Sequence, residues 1–401
     1  MTRATPSVLV MPDDEQPRRR VRVAIVPDSF KGSATALEVA TAMARGVQRA
    51  STAAVSGDLE IRLSPFADGG EGTLDALLDA WGERPRTVAT TDALGRPATA
   101  RYGLSPSRTG VIEAAEACGL PQVSDRPLEP LAASTRGVGT IAAALLEEGA
   151  REIVLCVGGS ATTDGGTGLL TALGARFLDR AGGELPPGGG ALADLDRIDL
   201  SRLDPRARTV TWRVACDVTN PLCGERGAAA VFGPQKGATP ADVARLDAGL
   251  ARLAAVVAAE VGLDADALAQ RPGTGAAGGM PLLLTAVLGA ELVPGSELVA
   301  QTLGLADVLA GADLVLTGEG RFDEQSLHGK VVDAVARHAP AGAAVVVIAG
   351  EVALDDEAVH AHGVTAALAT ARGPRTLPEL SATVADDVEA AAAAVVRLMG
   401  L

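Results

Sequence analysis

Three short runs of β-branched and aliphatic residues, each closing on a turn rich in glycine and acid, most constrain what this chain can fold into. They are Val21-Arg22-Val23-Ala24-Ile25-Val26 before Pro27-Asp28-Ser29-Phe30-Lys31-Gly32-Ser33, Glu152-Ile153-Val154-Leu155-Cys156-Val157 before Gly158-Gly159-Ser160, and Asp313-Leu314-Val315-Leu316-Thr317 before Gly318-Glu319-Gly320. A short apolar run bounded by turn signals reads as a strand buried on both faces, and such strands belong to parallel sheets covered by helices. After the first turn, Thr35 and Glu38 have capping-box spacing, and Leu37, Ala40, Ala44 and Val47 fall on one helical face. Further strands are predicted at 212–216 and 344–349, with Ala-rich helices between them, for example around 243–261. Strands alternating with helices predict an α/β fold with mostly parallel sheet.

A chain of 401 residues, 47% of them hydrophobic, exceeds what one core needs, so two domains are expected. Aromatics at 2% argue against a base-stacking platform, and a net charge of -15 disfavours nucleic acid and anionic lipid as partners. No apolar run approaches bilayer length and the N-terminus lacks a signal-peptide core, which predicts a soluble cytoplasmic protein without a membrane partner. The four cysteines show neither CxxC pairing nor nearby histidines, and Cys156 and Cys216 sit in apolar runs, so they read as buried small hydrophobes. Residues 1–20, ending in Pro17-Arg18-Arg19-Arg20, read as a flexible tail, and the Gly- and Pro-rich stretch 181–190 as a surface loop.

In open parallel sheets, ligands bind beyond the carboxyl ends of the strands. In the first turn, Asp28 is placed to hold a metal or accept a proton and Lys31 to neutralise phosphate or carboxylate; a solvated turn is the alternative. The second, Phe66-Ala67-Asp68-Gly69-Gly70-Glu71-Gly72-Thr73, packs two acids among three glycines, which fits either a site or dipole partners of a helix. In the third, residues 158–168, glycines and hydroxyls suit an anion, with Asp164 towards a cation. The fourth, residues 318–330, combines Glu319, Arg321, Asp323 and Lys330, the mixture of carboxylate and cation that phosphoryl transfer needs, while His328 reads as peripheral. Weaker signals lie at Cys216-Asp217-Val218-Thr219-Asn220-Pro221-Leu222 and Phe232-Gly233-Pro234-Gln235-Lys236-Gly237. No GxxxxGK[ST], HRD, DFG, HExxH or GxSxG motif occurs, and the glycine patterns at 137–142 and 273–278 follow no convincing strand.

Taken in order, these loops resemble the bacterial glycerate kinase family. The matching stretches are PDSFKGS at 27–33, ADGGEGT at 67–73, GGSAT-DGG-G at 158–168, DVTNPL at 217–222, FGPQKGA at 232–238, GAAGG at 275–279 and GEGR-D-Q---GK at 318–330, covering the chain from residue 21 to its end. The resemblance implies transfer of the ATP γ-phosphoryl group to D-glycerate with Mg²⁺, giving 2-phosphoglycerate, with 3-phosphoglycerate as the less favoured product. It also implies a flavodoxin-like α/β domain built from 21–66 and 297–401, a second α/β domain inserted at 67–296, and an active site in the cleft between them. Asp28, Lys31, Asp164, Asp217, Glu319, Asp323 and Lys330 would then be catalytic, with Asp164, Asp217 and Asp323 as candidates for Mg²⁺ or for orienting the attacking hydroxyl. Ser29, Asp68, Gly69, Gly70, Glu71, Gly158, Gly159, Ser160, Thr162, Asn220, Lys236 and Arg321 would bind substrate and phosphate. Departures from the family pattern are Thr163 for Asn, Phe322 for Ile and Ser326 for Thr. A kinase for another small sugar acid, a non-catalytic sugar-acid sensor, and a phosphatase or phospho-acid isomerase remain as alternatives, and the expected assembly is a monomer or homodimer.

Overall fold

The apolar runs are strands, and they sort into two sheets. The structure is a computed structural model describing residues 20–51, 59–327, 329–371 and 373–400. The tail reading, Arg20 apart, and the reading of His328 therefore lie outside the described residues.

The first sheet has five parallel strands in the order Ala366–Ala369, Ala344–Ala349, Leu314–Thr317, Val21–Ile25, Leu59–Leu63. Counted along the chain this is the flavodoxin order 2-1-3-4-5, and the order reverses between Val21–Ile25 and Leu314–Thr317. The helices that follow those two strands, Ala36–Ala50 and Val331–His338, pack into different apolar clusters, and at such a reversal a crevice opens beyond the strand ends. The second sheet has six strands in the order Glu291–Val293, Thr211–Ala215, Glu152–Cys156, Thr109–Glu113, Pro97–Leu104, Arg86–Thr91. Its first four are parallel and its last two run as an antiparallel edge. The chain is thus two α/β domains, one with strands from both chain ends and one inserted between them.

Helix Ala36–Ala50 starts at the expected capping box, with Thr35 Oγ1 accepting from Glu38 N at 3.2 Å and Thr35 N donating to Glu38 Oε2 at 2.8 Å. Its buried face differs from the expected stripe: Val39, Ala40, Met43 and Val47 are covered, whereas Leu37 is 42% exposed. The reason is a second contact, because this helix packs on the sheet and also on the terminal helix Leu377–Met399. The two backbones nearly touch at Gly46, where a Cβ would lie 2.2 Å from Glu389 O. The stretch 181–190 is not simply a surface loop. Gly189 and Gly190 are buried and open the 3₁₀ turn Gly189–Asp194, with Gly188 at φ 91° pressed against Leu131 and Ala132.

Apolar side chains form three clusters. One fills the inserted domain around Ile112, Ile153, Leu155 and Trp212, and one covers a face of the first sheet around Ile25, Met43, Leu316 and Val396. The remaining cluster joins Val26, Val315 and Val347 of one sheet region to Val111 and Val154 of the other, through Leu74, Leu77, Val299 and Val332. Those four lie on helices Thr73–Trp81, Gly295–Leu303 and Val331–His338, so the domains share a continuous apolar layer. Among the described residues no helix is long and apolar enough to cross a membrane.

Candidate active site

Two strand ends are tied side by side at the point of reversal. Asp28 N donates to Gly318 O at 2.8 Å, and Thr317 Oγ1 donates to Val26 O at 2.7 Å. Only glycine fits at 318, since a Cβ there would lie 1.9 Å from Ile348 O. These bonds aim the first and fourth turns into one crevice, where two chambers of about 1160 and 420 Å³ meet at Ser29, Lys31, Ser33 and Asp68.

The smaller chamber gathers Asp28, Lys31, Glu319, Arg321, Asp323 and Lys330. Asp28 is 7% exposed and its Oδ1 accepts from Ser29 N at 2.6 Å; burial, then the neighbouring Asp68, pushes its pKa up to about 6. Burial pushes Glu319 up to about 7, and its buried Oε1 accepts no hydrogen bond among the described residues. Asp323 Oδ1 accepts from Gln325 N at 3.0 Å, and its other oxygen lies 3.3 Å from Arg321 Nε. Lys330 Nζ reaches Gln325 Oε1 at 3.5 Å, and Lys31 Nζ stands 3.8 Å from Asp68 Oδ2.

The larger chamber is lined by Asp68, Gly69, Gly70 and Glu71, by Asp217, and by the turn Gly158-Gly159-Ser160. Asp217 Oδ1 accepts from Gly295 N at 2.7 Å, and burial pushes its pKa up to about 6. Gly158 and Gly159 are exposed, Gly159 has φ 70°, and among the described residues the amides of 158–160 donate to no protein acceptor. Successive free amides of this kind form an anion-binding concavity. Beneath them Lys236 is only 3% exposed: Nζ donates to Thr162 O at 2.6 Å and to Ser160 Oγ at 3.5 Å, and burial pulls its pKa down to about 8.

Three of the expected residues stand outside the chambers. Asp164 is fully buried, and its carboxylate accepts from Thr135 N at 2.8 Å, Thr135 Oγ1 at 2.9 Å, Gly166 N at 3.1 Å and Gly168 N at 3.1 Å. A fully buried carboxylate that accepts from four protein donors, three of them on Oδ2, holds local structure, here the starts of helices Arg136–Glu147 and Thr167–Ala172. Thr162 is buried and contributes its carbonyl to Lys236, while Asn220 Nδ2 donates to Arg226 O at 2.8 Å away from the crevice. Thr163 and Phe322 are likewise fully buried and line neither chamber.

Sequence reasoning missed Glu113. It ends the strand Thr109–Glu113 and lines the larger chamber; its Oε1 accepts from Leu74 N at 2.7 Å, and burial pushes its pKa up to about 7. The available signal was a lone acid closing an apolar strand, with no glycine-rich turn beside it. Among the described residues no group of three or more His, Cys, Asp or Glu side chains is arranged to hold a metal ion by itself.

Acceptor carboxylates near neutral pKa, lysines beside them, and a turn of free amides within one crevice suit transfer of an anionic group to a hydroxyl. Known proteins agree with this geometry. Residues 23–400 match the model of the glycerate kinase family. A glycerate kinase of Halalkalibacterium halodurans is 45% identical over 79% of this chain and 82% of its own length. A glycerate 2-kinase of Escherichia coli is 44% identical over 80% of this chain and 82% of its own. The crystal structure of a protein provisionally called glycerate kinase 2, from Salmonella typhimurium LT2, superposes with a TM-score of 0.85 at 41% identity, covering 95% of this chain and 98% of that one. The match runs through every turn that meets in the crevice, and the chain belongs to the glycerate kinase family.

Proposed function

We propose that this protein transfers the γ-phosphoryl group of ATP to a hydroxyl of D-glycerate, giving 2-phosphoglycerate, with the crevice between the two sheets as its active site. The observation that carries this reading is the meeting of Asp28 and Glu319 with Lys31 and Lys330 in one small chamber at the strand-order reversal. A base works best with a pKa near the working pH, and burial brings Asp28 to about 6 and Glu319 to about 7. Asp28 orients the attacking hydroxyl and takes its proton, while Lys31 and Lys330 balance the charge of the carboxylate and the moving phosphoryl group. Asp217, Asp68 and the 158–160 turn support this from the larger chamber.

Mg²⁺ in such reactions takes one or two carboxylates and otherwise water and phosphate oxygens, so the lack of a three-carboxylate cage does not disqualify the site. The orphaned Glu319 Oε1 fits this role, and Glu319 and Asp323 would hold the ion together with the nucleotide. When bound, the ion neutralises charge on the phosphate oxygens. A cytoplasmic location suits an ATP-consuming reaction, and it suits a chain whose four cysteines are all free. The division 21–66 with 297–401 around 67–296 is our proposed domain boundary, supported by the assignment of strands to sheets.

Incubating the protein with ATP, Mg²⁺ and D-glycerate and identifying the product by NMR tests the reading. 2-Phosphoglycerate is expected; formation of no phosphoglycerate, or release of phosphate from phosphoglycerate without nucleotide, would sink it.

A further inference from the structure

We infer that the two chambers divide the substrates: the larger takes the nucleotide, with its phosphate tail on the 158–160 turn above Lys236 and its base against Phe232, and the smaller takes the hydroxy acid. This rests on the phosphotransfer reading and adds to it which wall meets which ligand.

Size favours the division, since the chambers hold about 1160 and 420 Å³ and a nucleoside triphosphate is several times larger than a three-carbon acid. Charge favours it further. Lys236 is an almost fully buried ammonium with two neutral oxygen acceptors, and among the described residues no carboxylate lies within ion-pair distance of it. Asp164 acts on Lys236 only from beyond ion-pair distance and does not offset its burial, so an anion at the 158–160 turn, which lines the same chamber, would stabilise it. The rest of that chamber supplies what a base requires, an apolar wall of Leu120, Pro121, Val157 and Phe232.

Carboxylates line both chambers, so size and the buried Lys236 with its turn, not net charge, set them apart. Asp28, Glu319 and Asp323 face the smaller chamber together with Lys31, Arg321 and Lys330. A hydroxy acid offers one carboxylate for these cations and a hydroxyl for Asp28 to accept from, and a terminal phosphate would reach Glu319 and Asp323 only through the cation they would hold. Ser29, Lys31 and Asp68 border both chambers, so the terminal phosphoryl group and the acceptor hydroxyl meet beside Lys31. The reverse seating, with the base against Leu377, Leu380 and Val384 of the smaller chamber, is the competing outcome.

Calorimetric titration of ADP, tripolyphosphate and D-glycerate into the full-length protein and three variants decides between them. Lys236→Met is expected to weaken ADP and tripolyphosphate about tenfold or more and to leave glycerate within about threefold. Phe232→Ala is expected to weaken ADP but spare tripolyphosphate, because it removes only the wall for the base. Lys330→Met is expected to weaken glycerate about tenfold and spare ADP. The assignment is overturned if Phe232→Ala leaves ADP binding unchanged, or if Leu380→Ala weakens ADP instead; the half-buried Phe232 keeps the test decisive should Lys236→Met fail to fold. The two readings fail separately. The expected pattern across the variants, with wild-type protein that makes no phosphoglycerate, sinks the kinase reading alone, and the reversed pattern with wild-type protein that makes phosphoglycerate sinks the chamber assignment alone.

Discussion

At Asp28 and Glu319 the fold holds carboxyl groups where burial opposes their charge. Their folded pKa values, about 6 and about 7, lie above the ordinary carboxylate range, so between that range and neutrality the folded chain binds more protons than the unfolded one. The stability they contribute is full at low pH and is lost as pH rises through 6 to 7. Glu319→Gln is therefore expected to raise thermal stability by roughly 1–3 kcal/mol near pH 8, with the gain vanishing towards about pH 4, while kcat/KM falls about a hundredfold or more. A variant no more stable than the parent at the higher pH would show that burial does not penalise this group. Burial raises the Asp164 pKa as well, but its four protein donors make substitution costly there. Asp164→Asn leaves donors from Thr135, Gly166 and Gly168 poorly matched and is expected to cost about 2 kcal/mol or more in urea unfolding, without changing the Mg²⁺ dependence of remaining activity. Both acids follow glycine-rich signals in the sequence, and residue type alone does not say which faces the crevice. Asp164 points back at the amides of its own loop, a direction set by tertiary structure, and Glu113 lacked any local signal.

Elements were legible where one kind of residue filled them. The runs ending at Ile25, Cys156 and Thr317 are continuous and apolar because both sheet faces are covered, and the strands lie within a residue or so of expectation. The edge hairpin Arg86–Thr91 with Pro97–Leu104 was invisible: it carries Thr, Arg and Pro, much of it faces solvent, and its antiparallel pairing has no apolar run to announce it. The short strands Leu59–Leu63 and Glu291–Val293 carry charged residues and were missed for the same reason. Helix Ala36–Ala50 shows how packing moves a buried stripe, since the near contact of Gly46 with Glu389 O sets its rotation. Gly46→Val should force the two helices apart and cost about 3 kcal/mol, read as a lower urea midpoint at unchanged slope. A variant as stable as the parent would mean that the helices can separate freely.

The whole molecule is two sheets joined by more than the chain passing between them. Helices Thr73–Trp81 and Gly295–Leu303 pack together, and the cluster around them holds buried residues of both domains. Neither domain can unfold without exposing that layer on the other, so scanning calorimetry is expected to show a single transition; two resolved peaks would show that the layer does not couple them. The discontinuous arrangement was legible only through the resemblance, because no local pattern tells a strand at residue 314 to pair beside one at residue 23. At the crossing the main chains of Gly69 and Gly295 meet so closely that a Cβ on Gly69 would lie 2.5 Å from Gly295 Cα. Swinging the domains apart there would wet buried leucines and valines at every turnover. Any change in the width of the crevice is therefore expected to come from shear, with the packed helices sliding past one another while the layer between the sheets stays dry.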